Sequence, residues 1–184
     1  DPDWQGGNYT RQPINGPRVG VALQIMASSA PVRMQAQWPT RDASDTAAVT
    51  LIAAGLAPFA PETAALQAGR LMLQEIERHF ADRNSFAFET TLSGRGYLKS
   101  IRRWQAAGYD VSLFFLRLDT PEIAIARVAQ RVRQGGHHIP ETVIRRRFAA
   151  GLENFKNLYA PAVNAWALYD NTGNEPRLQQ WSEL

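Results

Sequence analysis

The chain has 184 residues, 45% of them hydrophobic and 20% charged, with a formal net charge of +3 and no cysteine. That length supports one sizeable core with an appendage, and the composition excludes fibrous and disordered classes. Without cysteine there is no disulfide framework and no thiolate metal site, which fits a reducing, cytoplasmic setting. No apolar run in the sequence approaches a membrane span and no charged-then-apolar leader is visible, so no membrane partner is expected. Asp1 in place of an initiator Met suggests a fragment or a processed chain.

Residues 1–47 are rich in Gly, Pro, Asn and Gln and weakly periodic, and are expected to be poorly structured and not an independent domain. One short apolar run, Val19–Met26, reads as helical. Regular patterning begins near Val49, so a boundary is placed at Asp45–Val49, with a second unit over 48–184.

Pro61 opens a helix whose apolar stripe is Leu66, Gly69, Met72, Leu73, Ile76 and Phe80. Phe86–Phe88 reads as a short buried strand that ends in the polar run Glu89-Thr90-Thr91-Leu92-Ser93-Gly94. A helix with Leu98, Ile101 and Trp104 on one face follows, stopped by a left-handed Gly108. Val111–Leu118 is almost continuously apolar, the pattern of a strand covered on both faces. Thr120 caps a helix that starts at Pro121 and ends at Gly135-Gly136. Pro140 opens another, striped by Ile144, Phe148, Leu152 and Phe155. Ala165–Tyr169 is a strand closed by the turn Asp170–Gly173. Helices alternating with short buried strands predict an α/β fold with a parallel sheet, flanking helices and a helical lid.

Ligands of such sheets collect at the carboxyl ends of the strands, which puts Glu89–Gly94 at the mouth of a site. There a carboxylate can hold a substrate hydroxyl or a metal-bound water, and the hydroxyls of Thr90, Thr91 and Ser93 can meet phosphate or sugar oxygens. The bland alternative is a polar loop leading into the helix near Gly96. Between Arg95 and Arg147 stand eleven Arg or Lys against four acids, a surplus that attracts polyanions. Arg127 and Arg131 share a helix face, Arg133 adjoins the Gly135-Gly136 break, and Arg145-Arg146-Arg147 follow. Two arginine-bearing helices joined by that break suggest a mobile lid closing on phosphates, the alternative being a basic surface hairpin. His137 and His138 read as lid hydrogen-bond donors; no metal site is expected, because nothing completes a ligand shell. A nucleic-acid partner is disfavoured, since no aromatic platform is interleaved with the basic side chains.

Several stretches resemble the zeta-toxin-like P-loop kinases over about residues 49–178. These are Ala53–Phe59, Ala68–Leu73, Phe88–Gly94, Arg131–Pro140 and Leu168–Asn171. The resemblance implies an ATP-dependent phosphotransferase using Mg²⁺, a nucleotide and a small-molecule substrate, and an antitoxin partner protein. By resemblance, Glu89 and Thr91 match positions that contact the sugar-nucleotide acceptor or its metal, and Arg127 or Arg131 matches the lid arginine on the ATP phosphates. Zeta toxins phosphorylate UDP-N-acetylglucosamine. Two features depart from the family pattern. No G-x-x-x-x-G-K-[ST] loop occurs, Lys99 and Lys156 being the only lysines, and Val49-Thr50 stand where relatives carry the acidic base. Loss of that loop also implies loss of a central strand and an exposed sheet flank. The resemblance therefore implies an impaired kinase or, alternatively, an inactive remnant or fusion fragment that binds anions or a partner protein. Residues 1–45 are similar to the lid region of homoserine acetyltransferase-like α/β hydrolases, but no G-x-S-x-G elbow is present to carry their chemistry.

Overall fold

The computed structural model describes residues 18–24, 47–49, 61–134 and 138–182, with side chains described from residue 69 onward. Strands β1 (Arg18–Gln24), β2 (Ala47–Val49), β3 (Phe86–Glu89), β4 (Asp110–Arg117), β5 (Ala165–Asp170) and β6 (Arg177–Trp181) form one sheet in the order β2-β3-β1-β4-β5-β6. Every pairing is parallel except that of β6, which lies antiparallel on β5. The helices are α1 (Pro61–Ala81), α2 (Tyr97–Ala106), α3 (Pro121–Arg133) and α4 (Glu141–Asn154). After α4 comes a π-helical turn, Phe155–Tyr159, and then a short 3₁₀ turn. Among the described residues no helix is long and apolar enough to cross a membrane.

The α/β layering and the parallel sheet agree with the sequence reading, but its start does not. Of the run Val19–Met26, the described part is not helical: Arg18–Gln24 is β1, the strand at the centre of the sheet, and residues 25 and 26 lie outside the described residues. It pairs with β3 on one side (Val19↔Phe86) and β4 on the other (Val19↔Val111). The expectation that a central strand is lost is corrected by the same finding. A seven-residue apolar run fits helix and strand alike, and two parallel neighbours with unpaired backbone groups decide for strand. The strand β6, absent from the sequence reading, is exposed throughout and carries no apolar alternation to reveal it.

The register puts Phe86, Phe88, Val111, Leu113 and Phe115 on one face of the sheet, all almost fully buried. Trp104 of α2 meets the rings of Phe86 and Phe88 edge-on, at centroid distances of 5.4 and 5.9 Å. Phe115 stacks on Phe155 at 4.5 Å. Along β4 only Phe114 and Arg117 keep intermediate exposure, as a strand covered on both faces requires. Gly108 has φ +85, the left-handed stop read from the sequence. Thr120 caps α3 through its hydroxyl on the Ile123 amide, with Pro121 in the first turn. In α1, Met72 and Ile76 are buried as the stripe predicts, but Leu73 is half exposed. Leu66 lies outside the side chains described.

Phe86, wholly buried among Phe88, Trp104 and Tyr109, is expected to lose about 3–5 kcal/mol of stability on replacement by Ala. Leu73→Ser should stay within about 0.5 kcal/mol of the parent. Urea unfolding of the two variants beside the parent chain measures both values.

Candidate functional site

In a parallel sheet all carboxyl ends lie along one edge, here those of β2, β3, β1, β4 and β5. Glu89 is the last residue of β3 and is paired in register with Ala22, two residues before the end of β1. The residue is exposed, while partial desolvation of its carboxyl group by the surrounding chain pushes its pKa up.

The loop that follows is held from several sides. Thr90 hydrogen-bonds to the phenol of Tyr97 in the first turn of α2. The hydroxyls of Thr91 and Ser93 lie 2.9 Å apart, one donating to the other. Leu92 between them is 1% exposed and adopts φ +45. The loop therefore presents Thr90, Thr91 and Ser93 while anchoring itself through a buried leucine. Its carbonyls are also claimed: Asn154 Nδ2 donates to Leu92 O at 2.7 Å, and Tyr159 Oη donates to Gly94 O at 2.8 Å. Tyr97, Asn154 and Tyr159 were not singled out as site residues in the sequence, because their spacing from the loop carries no signal. Only the Thr-Thr-x-Ser run marked the place.

At the far side of the same edge, the turn after β5 is tied down by β4 and α3. The Asn171 amide donates to the Arg117 carbonyl at 2.7 Å, and the Asp119 amide to Thr172 Oγ1 at 3.1 Å. Arg127 of α3 donates through one guanidinium nitrogen to the carbonyls of Asn171, Thr172 and Gly173, at 2.7, 3.1 and 3.2 Å. Asp170 accepts from the Thr172 amide at 2.8 Å; the Thr172 side chain and then its backbone hold this carboxyl below its ordinary range.

The basic surplus thus divides in two. Arg103 pairs with Glu77, Arg117 with Asp119, and Arg145 with Glu122 and Glu141, while Arg127 holds the β5 turn. Arg95, Lys99, Arg102, Arg131, Arg133, Arg146 and Arg147 have no hydrogen-bond or ion-pair partner among the described residues. Of the two lid candidates, Arg127 is engaged by backbone carbonyls and Arg131 is uncommitted. His137 and the Gly135-Gly136 break lie outside the described residues. Among the described residues no group of three or more His, Asp or Glu could hold a metal ion.

A family model described as Zeta toxin matches residues 60–175. A protein of Haemophilus influenzae described as uncharacterized is 32% identical over 99 residues, spanning 53% of this chain and 69% of that protein. The fold is also similar to a chain solved in the characterization of the PezAT chromosomal toxin-antitoxin system of Streptococcus pneumoniae. That likeness has a TM-score of 0.64 and covers 95% of this chain and 75% of the other, at 11% identity.

Two outcomes follow from this geometry. Folded Glu89 holds its proton more tightly than the unfolded chain does. The parent therefore loses stability as pH rises from about 4.5, the ordinary value, through the folded value. Glu89→Gln should then be more stable than the parent at pH 7, with the gain vanishing as the pH falls below the ordinary carboxyl range; unfolding at a series of pH values reads this. Arg127→Ala should cost about 1–3 kcal/mol, because charged hydrogen bonds to three carbonyls are lost. Arg131→Ala should leave stability within about 0.5 kcal/mol.

Proposed function

The chain belongs to the zeta toxin family, and on that premise we propose that it is an ATP-dependent phosphotransferase by descent whose acceptor site is retained and whose ATP site is impaired. In this reading Glu89 accepts a hydrogen bond from the hydroxyl of a phosphate-bearing small molecule such as a sugar nucleotide. Thr90, Thr91 and Ser93 contact its oxygens, and the uncommitted arginines of α3 and α4, Arg131 and Arg133 among them, draw in phosphates. His137 serves as a further donor of that arm. Arg127 supports the arm by holding the β5 turn in place.

The observation that carries the reading is a contrast at the sheet edge. The Glu89–Gly94 loop is hydrogen-bonded on several sides beside the central strand. The sequence following that strand, residues 25–54, contains neither glycine nor lysine. A triphosphate with its Mg²⁺ requires a cradle of backbone amides, which glycine permits, and an ammonium group on the β- and γ-phosphates. Residues of this composition do not fit that group. The same contrast favours a second reading, a non-catalytic module that captures anions or a partner protein. The structural relative comes from a toxin-antitoxin system, which makes an antitoxin protein the candidate partner here.

Calorimetric titration with UDP-N-acetylglucosamine, paired with a radiolabelled phosphate-transfer assay, separates these readings. The expected result is binding that weakens about tenfold or more in Glu89→Gln and Thr91→Val, the loss of one good hydrogen bond each. Phosphate transfer should stay at background and ATP with Mg²⁺ should leave the melting temperature unchanged. Tight Mg²⁺-dependent capture of ATP would overturn the impairment; absence of acceptor binding would leave the module reading.

A further inference from the structure

Between α4 and β5 the backbone changes its hydrogen-bond step. Phe155–Tyr159 is a π-helical turn, closed by the Ala160 amide on the Phe155 carbonyl five residues back. In an α-helix each residue turns about 100°, so side chains five apart point roughly 140° away from each other. A turn with i→i+5 bonding brings them round to one side, and such turns recur at functional sites. The pair aligned in this way is Asn154 and Tyr159, which are 7% and 1% exposed.

Both side chains spend their hydrogen bonds on the loop after β3. Asn154 Nδ2 donates to the Leu92 carbonyl and Tyr159 Oη to the Gly94 carbonyl, so the two bonds flank Ser93. The backbone of Tyr97 hydrogen-bonds to the same phenol oxygen, tying the first turn of α2 to the loop. Leu92 is held at φ +45, a left-handed conformation that is strained for a leucine and persists only where its surroundings impose it. Burial of the leucine and the Asn154 bond supply that imposition. Apolar side chains of the same shape would fill the space as well; the two donors add a fixed position for the main chain on either side of Ser93.

We propose that Asn154 and Tyr159 are positioning residues that set the loop bearing Thr91 and Ser93, through the π-helical turn that brings them together. This rests on the reading of Glu89–Ser93 as the acceptor site. It also joins the basic arm to that site, because Arg145, Arg146 and Arg147 lie on the helix that ends at Asn154.

Hydrogen–deuterium exchange on the full chain, beside acceptor titration, tests this with Tyr159→Phe and Asn154→Leu. In both variants the amides of residues 91–96 are expected to exchange about tenfold faster while those of β4 keep parent rates, the mark of local opening. The dissociation constant for UDP-N-acetylglucosamine should rise about tenfold, with the melting temperature of Tyr159→Phe lowered by only a few degrees. Should Asn154→Leu fail to fold, Tyr159→Phe decides alone. Unaltered loop exchange in Tyr159→Phe, or equal acceleration throughout β4, overturns the proposal. Selective loop opening in a chain whose parent binds no acceptor supports the positioning role and removes the acceptor reading instead.

Discussion

The seating of β1 between β3 and β4 is the arrangement on which the other strands depend. A parallel sheet has no hairpins to hold neighbours together, so each interior strand must satisfy backbone groups on both sides. With β1 in place, β3 and β4 share one register, and the rows headed by Phe86 and Val111 fall on the same face. That common face receives Trp104 and Phe155, and with them α2 and the π-helical turn. The same register aligns the carboxyl ends, which places Glu89 beside the end of the central strand and the β5 turn farther along the same edge.

The site at that edge is built from short polar segments whose shape is imposed by buried groups behind them. In the loop after β3 a buried leucine lies between the mutually bonded Thr91 and Ser93; the turn after β5 is held by Arg127, the Asp119 amide and the Arg117 carbonyl. In both places an element distant in sequence supplies the donors. Among the described residues, the supports of the loop after β3 come from α2, α4 and the π-helical turn, all later in the chain.

Much of this architecture is legible before any coordinates. The strands Phe86–Glu89, Asp110–Arg117 and Ala165–Asp170, the cap at Thr120 and the stop at Gly108 all follow from patterns within a few residues, because capping, turn conformation and two-face burial are local in cause. The position of the polar Glu-Thr-Thr-x-Ser run is legible too, since a run directly after a buried strand falls at the carboxyl edge of a parallel sheet. The basic character of Arg95–Arg147 is also plain from composition.

The sequence by itself determined the α/β class, the helices and strands from Pro61 to Asp170 with their approximate ends, and the family likeness carried by its ordered motifs. Only the tertiary structure decided that Arg18–Gln24 is a strand, because seven apolar-rich residues have no preference strong enough to resist two open parallel neighbours. It alone decided that Arg127 serves the β5 turn while Arg131 has no partner among the described residues, since one helix face offers both and only the neighbouring loop distinguishes them. It alone brought Asn154 and Tyr159 to the loop some sixty residues earlier in the chain, because a change of hydrogen-bond step in one helical turn leaves no trace in residue spacing.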